Sequence, residues 1–198
     1  MEKHLTLPLT EEIVKELNIG DIVYLSGEVI QLLSPAHKRA LEYKKQGKEL
    51  PFDVTDMAIY HCYTSLSTNE CGLNCNFLGA STSAGVNLYE PDFIREFKVR
   101  AIIGKGGMNQ ATLDAMQEIG CVYLAQIGGC CQLVTEAVEE VTEKFWEDLA
   151  ANLGIKITFK NLGPLIVGMD AKGNSIYREM QAKIDAQKQI IYQRIGIA

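Results

Sequence analysis

The sequence is that of an ordinary globular domain with an acidic balance of charge. Its 198 residues are 47% hydrophobic and 22% charged, and the formal net charge is −6. This composition supports one well-packed core, so we expect a single domain over residues 1–198. The negative charge argues against a nucleic-acid-binding surface, and no apolar run approaches the roughly 18 residues of a membrane span. The N-terminal residues carry no secretory pattern, which favours a cytoplasmic protein.

Six cysteines are present, and we expect all of them to be free thiols. A chain of this length and apolar content does not need disulfides, and the cytosol keeps thiols reduced. Cys71 and Cys75 are close in sequence, but their spacing matches no common zinc pattern and no histidine is near. We therefore expect no metal site formed by this chain alone. The full set is Cys62, Cys71, Cys75, Cys121, Cys130 and Cys131.

The first 33 residues predict a strand, a short helix and a second strand. Alternate leucines from Leu5 to Leu9 predict an edge strand or an extended arm. Thr10 is typical of a helix cap, and Gly20 of a helix end. The apolar run that follows predicts a strand over Asp21–Leu33, with a bulge at Gly27.

Residues 34–97 predict two helices separated by a strand and a long loop. Ser34-Pro35 is typical of a capped helix start, and the helix continues over Ala36–Lys45. A strand over Met57–Tyr63 follows. The segment Thr64–Asn87 is rich in Ser, Thr, Asn and Gly and predicts a long loop, which in a compact domain is usually functional. A helix then runs from Pro91 to about Phe97.

The next unit is a strand, a glycine turn and a helix. It comprises the strand Val99–Ile103, the turn Gly104–Gly107 with Lys105 inside it, the cap Asn109 and the helix Gln110–Ile119. Glycines let a ligand approach the backbone closely, and both a lysine and the amides of a helix start attract anions. The unit predicts a carboxylate or phosphate site. A tight turn with a solvated lysine is the alternative.

The C-terminal third completes an α/β pattern. It predicts a strand over Cys121–Ile127 that ends at Gly128-Gly129, a helix over Cys130–Val141, strands over Ile155–Phe159 and Leu165–Met169, a turn over Asp170–Asn174, and an amphipathic helix over Ser175–Arg194. The alternation of strands with helices predicts a mostly parallel central sheet with crossover helices.

Three segments are expected to meet at one edge of this sheet. The turns Gly104–Gly107 and Gly128-Gly129 end neighbouring parallel strands, and the loop Gly79–Gly85 carries three consecutive hydroxyl residues. His37 and Arg39 lie in the first turn of a helix, where Arg39 could bind a carboxylate through two hydrogen bonds. A flexible turn and a solvated helix start are the alternatives for these last two elements.

Seven short segments resemble, in the same order, one known family. They are Leu7-Pro-Leu-Thr10, Gly20–Gly27, Ala36-His-Lys-Arg39, Gly-x-x-Thr-Ser at 79–83, Ile103-Gly-Lys-Gly106, Gly163–Val167 and Asp170–Asn174. Each segment is weak alone, but their common order over most of the chain is specific. The chain is similar to the β subunit of class I fumarate hydratase and L(+)-tartrate dehydratase, which corresponds to the C-terminal domain of the single-chain fumarases.

The resemblance implies a swivelling three-layer β/β/α domain and a hydro-lyase. The family adds water reversibly across the double bond of a small dicarboxylate such as fumarate. A four-iron–four-sulfur cluster serves as the Lewis acid, and its cysteine ligands belong to a partner α subunit. This chain alone is therefore expected to bind no cluster and to be active only with that α subunit. A homodimer is a further expectation.

The resemblance also implies roles for individual residues. By motif match the catalytic residues are Ser81, Thr82 and Lys105. The substrate-binding residues are His37, Arg39, Ser83, Gly104, Gly106 and Gly107.

The hydroxyl loop departs from the family pattern. Gly85 and Asn87 stand where the pattern has an arginine and an aspartate. The loss of a guanidinium removes a contact worth about 1.5–3 kcal/mol to a bound carboxylate. Three interpretations are therefore open. They are a hydro-lyase β subunit, a non-catalytic paralogue that binds a small carboxylate or regulates an α subunit, and a stand-alone carboxylate-binding protein.

Overall fold

The strands form one large sheet that closes into a barrel, and a separate hairpin. The computed structural model describes residues 1–70 and 72–196, without the side chain of Gln189. The strands are β1 (Glu2–Thr6), β2 (Ile22–Gln31), β3 (Ala58–Tyr60), β4 (Cys62–Asn69), β5 (Gly72–Ala80), β6 (Ala101–Gly104), β7 (Val122–Ala125), β8 (Val138–Phe145) and β9 (Gly154–Met169). The helices are α1 (Glu11–Lys15), α2 (Ser34–Lys45), α3 (Glu90–Phe97), α4 (Gln110–Ile119), α5 (Cys131–Glu136) and α6 (Ile176–Arg194), with 3₁₀ turns over Ser83–Val86 and Glu147–Asn152.

The barrel consists of four parallel strands and one antiparallel strand. β2, β3, β6 and β7 are parallel neighbours in this order. One edge of β9 pairs with β2, and its other edge pairs first with β8 and then with β7. The five strands β2, β3, β6, β7 and β9 thereby close on themselves, while β1 and β8 extend the sheet outward.

Alternate residues of the parallel strands build two apolar layers, because successive side chains of a strand point to opposite faces. Leu25, Tyr60 and Ile103 belong to the layer inside the barrel. Ile59 and Ile102 belong to the layer outside it, which packs against α2, α3 and α4. The predicted α/β class with parallel strands is confirmed, whereas closure into a barrel was not predicted.

Several local predictions are confirmed. The predicted N-terminal edge strand is β1, and the pairing of β2 with β9 shifts register between Leu25 and Gly27. The side chains of Thr10 and Asn109 cap α1 and α4 as predicted, whereas Ser175, predicted as the first residue of the last helix, is the cap of α6. Asp170 accepts hydrogen bonds from the turn that follows it, as the predicted turn requires.

The predicted long loop over residues 64–87 is wrong. Most of it is the antiparallel hairpin of β4 and β5. Leu66, Leu73 and Cys75 alternate with polar residues along this hairpin and pack against the barrel core, so a pattern of period two is present among the Ser and Thr residues. Cys71, the predicted neighbour of Cys75, lies outside the described residues.

Other predicted boundaries are also corrected. The helix predicted over residues 130–141 ends at Glu136, because the next segment pairs with β9 as β8. The two strands predicted over 155–159 and 165–169 are one long strand, β9. Helix α1 ends at Lys15, well before Gly20. Ser34 is the first residue of α2 rather than its cap, and its hydroxyl donates to the carbonyl of Gly85.

Helix α6 is confirmed, but among its described residues only Tyr177 packs its apolar side chain on the domain core. Tyr177 in the first turn packs where a Cβ on Gly107 would lie 2.5 Å from its ring and a Cβ on Gly168 3.0 Å. Beyond this turn the helix is mostly exposed, including Met180 and Ile184. Only the first turn therefore anchors α6 to the domain.

Candidate active site

The hydroxyl segment and the lysine turn are joined by backbone hydrogen bonds. The Lys105 amide donates to the carbonyl of Ser81 over 3.2 Å, and the Ser83 amide donates to the carbonyl of Lys105 over 3.0 Å. Thr82 thereby faces Lys105 as an isolated parallel bridge. The structure brings the three predicted catalytic residues together at the end of β6, as neighbours on one short ladder.

The Lys105 side chain extends from this ladder to the second glycine turn. A Cβ placed on Gly128 would lie 3.5 Å from Cδ and 3.8 Å from Nζ of Lys105. Among the described residues no carboxylate forms an ion pair with this ammonium group, which is partly exposed. The two glycine turns thus hold an uncompensated positive charge between them.

The glycines of the first turn have packing roles. A Cβ on Gly104 would lie 2.0 Å from the Ser83 hydroxyl oxygen, so only glycine leaves room for that hydroxyl. Gly106 and Gly107 have φ of +87° and +72°, which disfavours any other residue. Gly104 is therefore required for packing, whatever the turn binds.

Asn87 joins the hydroxyl segment to the start of α4. Its side-chain oxygen accepts a hydrogen bond from the Asn109 amide over 3.1 Å. The Asn109 side chain in turn accepts from the Thr112 amide over 3.0 Å. Asn87 replaces an aspartate of the family pattern and keeps an acceptor oxygen there, but it brings no charge.

Behind the ladder lies a cluster of buried polar side chains. The Ser83 hydroxyl lies 3.0 Å from His61 Nδ1 and accepts from the Tyr123 hydroxyl over 3.0 Å. Glu90 Oε2 lies 3.0 Å from His61 Nε2 and 3.3 Å from His37 Nε2. His37, His61 and Glu90, hereafter the buried histidine cluster, have no exposed side-chain surface.

The charge of the cluster is set by competition between burial and the imidazoles. Burial opposes ionisation of Glu90, but His37 and His61 outweigh it and hold the pKa of Glu90 at about 2. Burial lowers the pKa of His61, and the Glu90 carboxylate opposes this shift only in part. The imidazoles therefore favour the ionised form of Glu90, whereas burial favours the neutral form of His61.

Two predicted substrate contacts are corrected by burial. The side chains of His37 and Ser83 have no exposed surface and point into the buried cluster. Neither can touch a ligand at the lysine turn in this conformation. His37 and Ser83 instead pack against His61 beneath the ladder, and the backbone of Ser83 is itself part of the ladder.

Arg39 lies apart from the ladder. Its guanidinium donates two hydrogen bonds to Asp148, over 2.7 and 2.6 Å, and lies 5.7 Å from the ring centre of Trp146. The Asp148 carboxylate raises the pKa of Arg39. None of the described contacts of Arg39 reaches Lys105.

Sequence reasoning missed His61, Glu90 and Tyr123. His61 follows β3, Glu90 begins α3 and Tyr123 lies in β7, so no short motif contains two of them. The available signal was His61 and Glu90, two ionisable residues among apolar neighbours. A charged side chain that is buried with such neighbours needs a partner.

The described cysteines do not fit an iron–sulfur cluster. Such a cluster needs several thiolates within ligand reach of one another. Among the described residues no three cysteines meet this condition, and Cys62 and Cys121 are fully buried. This chain, as far as it is described, offers no cluster cradle. Its described helices also include none that is long and apolar enough to cross a membrane.

Replacement of Gly104 by alanine should destabilise the domain, because its Cβ would overlap the Ser83 hydroxyl and disturb the bonds to His61 and Tyr123. We expect a loss of about 1–3 kcal/mol in the free energy of unfolding by urea. The matched control is Gly128→Ala, whose Cβ would meet Lys105 at an ordinary 3.5 Å. Equal stability of the two variants would contradict the packing role of Gly104.

Comparison with known proteins places the chain in a family. The family model described as fumarase C-terminus matches residues 2–180. A Methanocaldococcus jannaschii protein provisionally named L(+)-tartrate dehydratase subunit beta is 38% identical over 181 residues, which cover 89% of this chain and 91% of the relative. The L(+)-tartrate dehydratase subunit beta of Escherichia coli K12 is 30% identical over 90% of this chain and 88% of the relative.

A longer relative shows the same match over part of its length. A Geobacillus stearothermophilus protein provisionally named fumarate hydratase class I is 33% identical over 89% of this chain, but the match covers only 34% of that protein. This domain therefore also occurs as one part of a larger chain. With a family model that spans most of its length and relatives matched almost end to end, the chain belongs to the fumarase C-terminus family.

Proposed function

We propose that the chain is the β subunit of a hydro-lyase that hydrates or dehydrates a small dicarboxylate, such as fumarate, malate or tartrate. Relatives named as tartrate dehydratase β subunits and class I fumarate hydratase support this reaction class. The observation that carries the proposal is the uncompensated Lys105 ammonium between two glycine turns and beside Ser81 and Thr82. Such a site suits one carboxylate of a dianion.

The exposure of the three hydroxyl residues divides their roles. Thr82 is exposed, Ser81 is partly exposed and Ser83 is buried. We assign proton transfer to Thr82, with Ser81 as the neighbouring hydroxyl at the substrate. Ser83 is a positioning residue, because its amide and hydroxyl tie Lys105 to the buried histidine cluster. The exposed amide of Gly106 offers a further donor to the anion, whereas Gly107 is buried beneath Tyr177 and supports the turn.

Arg39 is proposed as the site of the second carboxylate. A substrate would have to replace Asp148, whose carboxylate already accepts hydrogen bonds from both terminal nitrogens of the guanidinium. Exchange of one carboxylate for another costs little when both are exposed, since the hydrogen bonds are of the same kind. His37 supports this assignment indirectly, as a buried residue one half-turn before Arg39 on α2.

The alternative is a non-catalytic paralogue that binds a small carboxylate or regulates an α subunit. Gly85 supports this alternative, because it stands where the family pattern has an arginine. No other side chain fills the space, since no atom lies within 4 Å of a Cβ built on Gly85. Retention of Lys105, Thr82 and Arg39 supports the catalytic interpretation. The substrate is therefore expected to make fewer charged contacts with the hydroxyl loop.

A four-iron–four-sulfur cluster held by an α subunit is proposed as the cofactor. It supplies the Lewis-acid step of the family, while this chain binds carboxylates and moves a proton. We further propose a cytoplasmic enzyme in which residues 1–198 act as one swivelling three-layer β/β/α domain. A homodimer of the assembled enzyme is part of the same proposal.

The α subunit is proposed to dock beside the lysine turn. Ile127 and Leu133 are 58% and 67% exposed at the rim of an apolar cavity of about 170 Å³, which Leu162 and Pro164 also line. Ile127 directly precedes Gly128, the glycine against which the Lys105 side chain lies. A partner that brings a cluster to Lys105 would cover this surface, and apolar burial would stabilise the complex.

Lys105→Met should abolish measurable turnover of the complex with the α subunit. Loss of the charged carboxylate contact alone accounts for about 1.5–3 kcal/mol, or roughly 13- to 160-fold in kcat/KM. The partly exposed position predicts an unchanged midpoint of thermal unfolding. Lys45→Met, at an exposed lysine of α2, is the control. Full activity of the Lys105 variant would refute the assignment.

The chain purified alone under anaerobic conditions should contain no iron–sulfur cluster. No three described cysteines form a cradle, so we expect no acid-labile sulfide and no charge-transfer absorption in the visible range. Co-expression with the α subunit should give a brown complex. A brown protein obtained without a partner would overturn the assignment of the cluster to the α subunit.

Leu133→Asp should weaken binding of the α subunit at least tenfold, because it places a charge at the centre of the proposed apolar contact. Isothermal titration calorimetry measures this affinity. Ile184→Asp changes a side chain of similar exposure, 52%, on α6. Weakening by the Ile184 variant alone would show that the partner docks on α6 instead.

A further inference from the structure

The buried histidine cluster contains every buried side-chain atom that lacks a hydrogen-bond partner in the described part of the chain. These atoms are His37 Nε2, His61 Nε2, Glu90 Oε1 and Glu90 Oε2. A buried polar atom without a partner costs about 1–3 kcal/mol, so native structures contain few of them. Four such atoms at one point indicate that they bind something other than each other.

The orientation of both imidazoles is that of metal ligands. His37 Nδ1 lies 3.0 Å from the carbonyl oxygen of Leu33, and His61 Nδ1 lies 3.0 Å from the Ser83 hydroxyl. A histidine whose Nδ1–H donates to such an oxygen presents the lone pair of Nε2. Both Nε2 atoms face the same carboxylate.

The donor atoms of the three residues lie close enough together to share one ion. Glu90 Oε2 lies 3.0 and 3.3 Å from the two Nε2 atoms, and neither contact has hydrogen-bond geometry. All the ligand atoms lie within 4.8 Å of one another. Zinc bonds of about 2.0–2.2 Å in a tetrahedron place neighbouring ligands about 3.3–3.5 Å apart. Small shifts of buried side chains would admit an ion.

We propose that His37, His61 and Glu90 bind a divalent metal ion, best matched by Zn²⁺. Two imidazole nitrogens and one carboxylate oxygen supply three donors, a set that suits zinc. This site contains no thiolate and is separate from any iron–sulfur cluster. The inference stands whether or not the chain is a hydro-lyase subunit.

Full burial assigns the ion a structural role. The ligands come from the first turn of α2, the link between β3 and β4, and the first residue of α3. The ion would join these three elements directly beneath Ser83, whose backbone holds Lys105. Because metal binding to a folded site adds to folding stability, loading should raise the unfolding temperature.

The test uses the full chain, stripped of metal with a chelator during refolding and then titrated with Zn²⁺. We expect about one tightly bound zinc per chain by elemental analysis after dialysis, and a higher unfolding temperature than in the stripped protein. His61→Gln and Glu90→Gln should lower zinc content at least tenfold. The control is His4→Gln, since His4 is the exposed third histidine of the chain.

A second measurement keeps the proposal falsifiable if these variants do not fold. X-ray absorption of the zinc-loaded wild type should show only nitrogen and oxygen ligands. Sulfur ligands would place the zinc at cysteines and overturn the proposal. Less than about 0.1 zinc per chain, with an unfolding temperature that does not respond to Zn²⁺, would also overturn it and leave the cluster as a proton-sharing ion pair.

Discussion

The pairing of β9 with both β2 and β7 is the constraint on which the rest of the structure depends. It joins the two ends of the row of parallel strands, so β2, β3, β6 and β7 cannot splay apart. The ends of β6 and β7 are then fixed side by side, and each continues into a glycine turn. The position of Lys105 over Gly128 follows from the direct pairing of β6 with β7, which the closed barrel keeps in place.

At this end of the barrel the proposed reactive residues are exposed, and the residues that position them are buried. Thr82 and Lys105 reach the surface, while Ser83, which follows Thr82 and donates its amide to Lys105, points inward to His61 and Tyr123. A polar network inside a low-dielectric core holds one geometry when its members are satisfied, and the proposed metal ion would satisfy His61 Nε2. The orientation of the reactive turn is thus decided by residues that a substrate never contacts.

Sequence reasoning succeeded where local physics dominates. Helix caps such as Asn109, the glycine turn with Lys105 and the β2 bulge at Gly27 all depend on a few neighbouring residues. It failed where contacts between segments distant in the sequence determine the secondary structure. The β4–β5 hairpin is stabilised by apolar contacts to the barrel that its polar composition hides, and β8 becomes a strand because β9 offers an edge. The buried histidine cluster collects residues from three elements, so no spacing reveals it.

Helix α6 couples the far end of the chain to the lysine turn. Its 19 residues span about 28 Å, yet only the first turn is anchored, where Tyr177 covers Gly107 and Gly168. The helix is therefore anchored through a single aromatic ring, which packs on Gly107, two residues along the chain from Lys105. A displacement of the exposed end of the helix would therefore be transmitted through Tyr177 to Gly107. A spectroscopic probe attached to that exposed end would report on the lysine turn without contacting it.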